Sequence, residues 1–419
     1  MIVFEKLLEP VMPIIERIEA QRPRHGNETF TWLALVRIIV YCLTKRSKGR
    51  NEWVTTCANA EPAVNIPKIS HSTLSDGLNR FSPRLLRRAL TELLDQCDIP
   101  QNLELALIGH ACAVDGSEFP IFNGMTLPKT KETVKRVKLH LKFQLNRLVV
   151  TDFLLGLTES DERAALRKML TEDVTYVLDR GYMAFALLKQ AIEAKAFLVM
   201  RAYNNIVVET VEERVITIPE YIQTHWSGLR DRMVRSDHPD AQGVIFRLVE
   251  FTIGPSTYRL ITNHTDLTTF QVILLYAYRW QIELIFRFFK RTMTGMHVVS
   301  TLPWGMENFF TGMFLTAVLH LLFKQECLRQ EGHLPPDADD LLADALDTDI
   351  NAQESTDSAR PTATRVIACF MATINQKFAL FWKISKHWLI TLADYLHRPF
   401  TPDVVHTLNQ RALYGCNRL

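Results

Sequence analysis

The chain has 419 residues, 47% of them hydrophobic, and a net charge of only +2. That length and apolar content supply a real core spread over two or three domains and exclude a disordered protein; the near-neutral balance means that nucleic-acid binding must rest on local patches. Seven cysteines (Cys42, Cys57, Cys97, Cys112, Cys327, Cys369, Cys416) without any Cys-x-x-Cys pair argue against a zinc ribbon or a disulfide framework and fit free thiols in a reducing cytoplasm. The first residues, Met1-Ile-Val-Phe-Glu-Lys6, lack the basic-then-apolar pattern of a signal peptide. The longest apolar runs, Ile38–Leu43 and Met313–Phe323, are too short to span a bilayer, so no membrane partner is expected.

Residues 1–104 read as helices. Phe30–Leu43 is apolar enough for a core helix and runs into Lys45-Arg-Ser-Lys-Gly-Arg50, a basic run of the kind that usually complements a helix dipole in water. Ile69–Phe81 follows, and Ser82-Pro83 starts an amphipathic helix carrying Arg84, Arg87 and Arg88. Two short helices turning near Gly77 or Ser82 suit a helix-turn-helix laid on DNA, although all-helical domains carry such turns without touching DNA.

The next region alternates strands and one helix. Leu105–Val114 is an almost unbroken apolar run that stops at Asp115-Gly-Ser117, as a strand buried on both faces does. Lys129, Lys131, Lys135, Arg136, Lys138 and Lys142, answered only by Glu132, form the densest basic patch. Val137–Gln144 and Leu148–Leu155 read as paired strands, Glu162–Leu170 as a helix, and Val174–Leu178 as a strand that stops at Asp179-Arg-Gly-Tyr182. Taken singly, Asp115 or Asp179 is more often a turn residue before glycine than a ligand. Met183–Lys195 then reads as a helix and Phe197–Ala202 as a strand, after which 202–265 turns β-rich, with Trp226 more readily a buried structural residue than a base-stacking one.

Thr268 and Gln271 make a capping box, so a helix is expected from about Thr269 to Arg291. At about 100° per residue, Tyr276, Arg279, Glu283, Arg287 and Lys290 fall within roughly 80° of one another, one carboxylate among cations, while Leu275, Ile282, Ile285, Phe286 and Phe289 collect opposite. A solvated face of i,i+4 pairs would look similar. The spacing Tyr-x2-Arg-x3-Glu-x6-Lys with its Trp-Gln-Ile-Glu core, however, resembles the Y-R-E-K signature of DDE transposases of the type-4 insertion sequences. The Ser72-Thr-Leu-Ser75, Lys138-Leu-His-Leu141 and Asp179-Arg-Gly-Tyr182 segments resemble the same family.

That resemblance implies a ribonuclease-H-like α/β catalytic domain with an inserted β subdomain, flanked by N- and C-terminal helical regions. The strand, strand, strand, helix, strand order agrees with it, placing Asp115 on the first strand and Asp179 on the fourth. Its limits would be 105–201 for the first part, 202–265 for the insertion and 266–330 for the second part. The resemblance also implies that Asp115, Asp179 and Glu283 are catalytic metal ligands. Three carboxylates about 4 Å apart repel by several kcal/mol per pair, and hard oxygen ligands select two Mg²⁺ or Mn²⁺ ions to relieve that. It assigns DNA phosphates to Tyr276, Arg279 and Lys290, with Arg287 on the same stripe and Lys138 and Lys142 from the basic patch as further DNA-binding candidates. The implied activity is metal-dependent cleavage of double-stranded DNA at the ends of an insertion sequence and strand transfer to target DNA, by a dimer synapsed on DNA in the cytoplasm. Departures are the missing acid after Tyr182 and Ser300-Thr-Leu-Pro-Trp304 in place of a more basic stretch. Two rivals stay open, another ribonuclease-H-like metal-dependent nuclease and a catalytically silent transposase-derived DNA-binding protein. Beyond the signature, Trp304–Phe323 should pack behind it; 331–362, with eight acids against one arginine from Leu334 to Arg360, reads as an acidic linker, and 363–419 as a helical end.

Overall fold

A computed structural model describes residues 1–24, 26–99, 105, 107–126, 133–157, 160–218, 228–253, 256–331 and 385–417. Lys129, Lys131, Glu132, Trp226, the acidic stretch and residues 363–384 of the helical end lie outside the described residues.

Helices α1 (Val3–Leu8), α2 (Met12–Gln21), α3 (Trp32–Thr44), α4 (Gly49–Ala58), α5 (His71–Arg80) and α6 (Pro83–Gln96) form the N-terminal region. The α6 arginines do not point outward for a ligand as a pair. Arg87 donates to Glu307 at 2.6 Å and to Asp152 at 3.2 Å while lying over the Phe153 ring, and Arg88 pairs with Glu92. Helix α5 is capped by Ser70, whose hydroxyl accepts from the Thr73 amide, and leaves His71, Ser72, Asp76 and Arg80 exposed.

Among the described residues, the region that follows is one sheet of nine strands in the order β3-β2-β1-β4-β5-β9-β8-β7-β6. Its first five members are β1 (His110–Thr126), β2 (Thr133–Gln144), β3 (Val149–Leu157), β4 (Val174–Leu178) and β5 (Phe197–Arg201). β1, β4 and β5 run parallel, β2 runs antiparallel to β1, and β3, antiparallel to β2, runs in the direction of β1, which is the ribonuclease-H-like arrangement. Every residue of β4 is buried because helices cover both faces. Helices α7 (Glu162–Met169) and α8 (Phe185–Glu193) close over Cys112, Val114, Tyr176 and Leu178. Helices α9 (Thr269–Tyr278), α10 (Gln281–Arg291) and α11 (Pro303–Gln330) belong to the other core, with Ala111, Ala113, Val177 and Val199.

The inserted strands β6 (Glu209–Glu213), β7 (Arg230–Arg235), β8 (Phe246–Ile253) and β9 (Ser256–Thr262) occur where a β subdomain was expected, but they extend the same sheet. β9 pairs antiparallel with β5, which satisfies backbone groups that an edge strand would leave open. β6 forms the far edge, exposed at every residue, with Glu209 paired to Arg235 and Glu213 to Arg230. Inside the extension, Arg247 grips Asp231 through two bonds of 2.9 and 2.6 Å and also donates to the Leu267 carbonyl, and Asp231 accepts from Thr269 at the start of α9. Both side chains of this ion pair are essentially fully buried, 1% and 0% exposed.

Helix α11 is 28 residues long and apolar enough to cross a membrane by length and composition, longer than the apolar run within it suggested. It is a core helix: 72% of its most apolar window is buried, against α3, α5, α6 and β3.

Removing one partner of the buried pair leaves an uncompensated charge in the interior. Asp231→Ala is therefore expected to lower unfolding free energy by about 3–5 kcal/mol, measured by urea denaturation, whereas a well-packed apolar replacement of both partners should be close to neutral.

Candidate active site

The parallel pairing of β1 with β4 is in register from His110↔Val174 to Ala113↔Val177. Two residues further along each strand stand Asp115 and Asp179, so the two carboxylates are abreast. Side chains alternate along a strand, and Ala113 and Val177 belong to the core under α9 and α10, so both acids emerge on that face. Neighbouring strands lie about 4.8 Å apart, within reach of a shared ion. β5 adds a third member: Leu178 pairs with Met200, which brings Arg201 abreast of Asp179 on the same face.

The Asp115 carboxyl is pushed up to about 6, chiefly by burial; its bond from the Gly116 amide, at 2.8 Å, opposes the rise, and the charges of Glu162 and Asp179 add to it. Asp179 is exposed and accepts from the Gly181 amide at 2.7 Å, capping the short turn Arg180–Tyr182.

The expected single helix over Thr269–Arg291 is two. The capping box of Thr268 and Gln271 is present, but α9 stops at Tyr278 and α10 starts at Gln281. The Arg279, Ile282 and Glu283 amides bond three residues back, to Tyr276, Arg279 and Trp280, a tightened turn that shifts the angular register of the stripe. Arg279 donates to Glu283 at 2.9 Å and lies 5.8 Å from the centre of the Tyr276 ring. Its charge also acts on Asp115 and, through their coulombic coupling, on Asp179. Tyr276 is buried, and burial raises its phenol pKa despite the nearby guanidinium groups of Arg279 and Arg201. Lys290 donates to the Ser117 hydroxyl at 2.7 Å, two residues from Asp115, over the ring of Phe119; burial lowers its pKa. Arg287 is exposed.

Asp115, Asp179, Tyr276, Arg279 and Lys290 thus gather at one end of the sheet, with Glu283 held by Arg279 at its margin. Among the described residues no three His, Cys, Asp or Glu side chains form a group able to hold a metal ion. The donor chemistry fits a hard divalent cation at Asp115 and Asp179, whose mutual repulsion one would relieve. Glu283 is not brought into that pair.

The two lysines from the basic patch lie on the other face of the sheet, Lys138 beside the site and Lys142 buried away from it. β1–β2 register sets Lys138 beside Glu118 and Lys142 beside Val114, on the sheet face opposite Asp115. Lys138 pairs with Glu162 at 2.7 Å. Lys142 is 8% exposed, and its ammonium donates to the Thr171 hydroxyl and the Met169 carbonyl, 5.1 Å above the Tyr176 ring.

Two site residues escaped the sequence. Arg201 ends an apolar strand, lies over the Tyr258 ring at 4.3 Å and has its Nε buried without a hydrogen-bond partner among the described residues. A cation closing a hydrophobic strand was the available signal. Glu162, in the first turn of α7, spans the glycines that follow both aspartates: a Cβ added to Gly116 would lie 3.2 Å from its Oε1, and one on Gly181 3.8 Å from its Oε2. Nothing in the helix pattern distinguishes Glu162 from an ordinary helix-start acid.

Residues 111–319 match the family profile described as the transposase DDE domain. The chain is 25% identical over 240 residues to y4zB of Sinorhizobium fredii, named as a transposase, covering 56% of this chain and 60% of that protein's length. It is 21% identical over 306 residues to a protein of Geobacillus stearothermophilus named as a transposase for insertion sequence element IS5377, covering 72% of this chain and 78% of the relative. A solved piggyBac transposase synaptic complex with hairpin DNA aligns over 98% of this chain and 84% of its own at 10% identity, with a TM-score of 0.37.

Because the Lys142 ammonium is consumed by internal acceptors, Lys142→Met is expected to cost about 1–3 kcal/mol of stability. In a fluorescence-anisotropy titration with duplex DNA it should leave affinity unchanged.

Proposed function

Because this chain belongs to the family of DDE transposases, we propose that it cuts double-stranded DNA at the ends of an insertion sequence and joins the freed 3′ ends to target DNA, a cut-and-paste reaction. The observation that carries this reading is the in-register placement of Asp115 beside Asp179 at the sheet end faced by Tyr276, Arg279 and Lys290. The spacing of those three residues with Glu283 supports assignment to the type-4 insertion sequences. The DNA would be the terminal repeats of the element and its target, bound in the cytoplasm by a dimer that brings two ends together.

Enzymes of this family generally depend on divalent metal. In this reading Asp115 and Asp179 hold Mg²⁺ or Mn²⁺, and Glu283 completes the ligand set once Arg279 turns to a phosphate instead. Two such ions, when bound, activate the attacking oxygen and stabilise the leaving 3′ oxygen of a phosphodiester. The chain's own side chains do the rest. Tyr276 offers one hydroxyl donor, Arg279 and Arg201 planar forks, and Lys290 a point charge, a set that can grip successive phosphate oxygens and fix the scissile bond over the two aspartates. Arg287, exposed one turn before Lys290, extends that grip along the strand. The packed α9–α10 pair keeps the cleft stiff enough for in-line geometry.

A second reading, a DNA-binding protein without catalysis, is favoured by one contact, the engagement of Glu283 by Arg279. The same assay separates the two. With Mg²⁺ the protein should nick a duplex carrying the end of its element, and a chelator should abolish nicking without abolishing binding. Asp115→Asn, Asp179→Asn and Glu283→Gln should each lower the cleavage rate by on the order of 10³ or more, since groups that act as a unit fail together. Cleavage by Glu283→Gln at the wild-type rate would remove that residue from the chemistry, and inactivity of the wild type in Mg²⁺ and Mn²⁺ would leave the silent DNA-binding protein.

A further inference from the structure

The segment joining α10 to α11, residues 292–302, is held down as a rigid strap. The Met293 amide bonds to the Phe288 carbonyl and the Gly295 amide to the Phe289 carbonyl. Thr294 sits at φ +58°, and a Cβ on Gly295 would come within 2.9 Å of the Phe289 carbonyl oxygen and 3.0 Å of the Phe119 ring. Three bonds tie the strap to the basic run that follows α3. Arg46 donates to the Thr292 carbonyl at 3.1 Å, Arg50 to the Val299 carbonyl at 3.4 Å, and the Thr294 hydroxyl to the Ser47 carbonyl at 3.2 Å. At its far end Asn79 of α5 accepts from the Gly305 amide at 3.0 Å.

Charge along this ledge is mainly positive, with Glu52, which accepts from the Lys48 amide, the acid beside the basic run. No acid occurs from Leu284 to Met306, whereas Arg287, Lys290, Arg291 and His297 do. The sequence there lacks the basic character looked for in the resembling family, yet the fold brings Lys45–Arg50 up against it. Three large apolar side chains stand out of the same ledge: Met296 is 41% exposed, Leu302 53% and Trp304 48%. The ledge begins at Lys290, bonded two residues from Asp115, and ends at the exposed α5. Exposed indole and aliphatic groups set among cations suit the sugars of a duplex flanked by phosphates better than they suit water.

We propose that the strap and the basic run beneath it form a DNA-contact ledge that carries the duplex from the catalytic cleft to α5, with Trp304 packed on a nucleotide and Arg291, Lys48 and Arg50 on the backbone. This rests on the DNA-processing reading and locates a part of its substrate path. Rigidity matters because a pre-ordered surface loses little conformational entropy when the duplex docks.

The test uses the full-length protein, a fluorescent duplex of arbitrary sequence, a chelator to prevent cleavage, and several salt concentrations. Arg291→Gln should lower the slope of log affinity against log salt by about 0.9, the signature of one lost phosphate contact. Trp304→Ala should weaken binding by about tenfold with the slope unchanged, as loss of an uncharged packing contact does. Lys168→Gln, the same charge change on the exposed side of α7, is the control and should leave both quantities as in the wild type; melting temperatures check that all variants fold. Variants that bind like the wild type overturn the ledge and leave the DNA reading intact, as does a control that weakens binding as much as Arg291→Gln. Failure of the wild type to bind duplex overturns the DNA reading, and the ledge with it.

Discussion

The site exists because three strands run in the same direction. β1, β4 and β5 are parallel neighbours, so Asp115 within β1 and Asp179 and Arg201 at the carboxyl ends of β4 and β5, though far apart in the chain, arrive side by side. Burial then makes that proximity consequential. Water that would screen two adjacent carboxylates is largely excluded at Asp115, and its proton affinity rises accordingly. Arg279, placed by the tightened turn between α9 and α10, is the counter-charge that the chain itself supplies. The same arginine holds Glu283, so the third acid and the neutralisation of the first two are controlled by one side chain.

Much of this was legible in the residues because the relevant signals are local. The apolar run that ends in Asp-Arg-Gly announces a buried strand with an acid at its exit, the run before Asp115 announces a buried strand that in fact continues past the acid to Thr126, and the Thr268–Gln271 capping box announces where α9 begins. What stayed hidden depends on partners. Lys138 and Lys142 lie on the opposite face of the sheet from Asp115 because of the β1–β2 register, and alternation within β2 cannot reveal which residue of β1 each one faces. The break at Arg279–Trp280 was equally invisible, since every residue from Val272 to Phe289 tolerates a helix and only the packing of both halves decides where the turn tightens. Arg201 was passed over because a terminal cation on a strand looks the same whether it meets solvent or a tyrosine.

The inserted strands alter how the domain is understood. Residues expected to fold as an appendage instead lengthen the sheet past β5, and the Arg247–Asp231 pair fastens β7 and β8 to the start of α9. The helix that carries Tyr276 therefore hangs from the insertion as much as from the core. Disturbance of the extension would be transmitted to the cleft through the N-terminus of α9 and through Tyr258 of β9, whose ring meets Arg201 and Tyr276.

A continuous sheet has only two rims, and the one at β6 is built to stay solitary. It reads Glu-Thr-Val-Glu-Glu, with its outer acids clasped by arginines from β7, so two molecules approaching rim to rim would set rows of glutamates against each other. Growth of the sheet across copies is thereby discouraged.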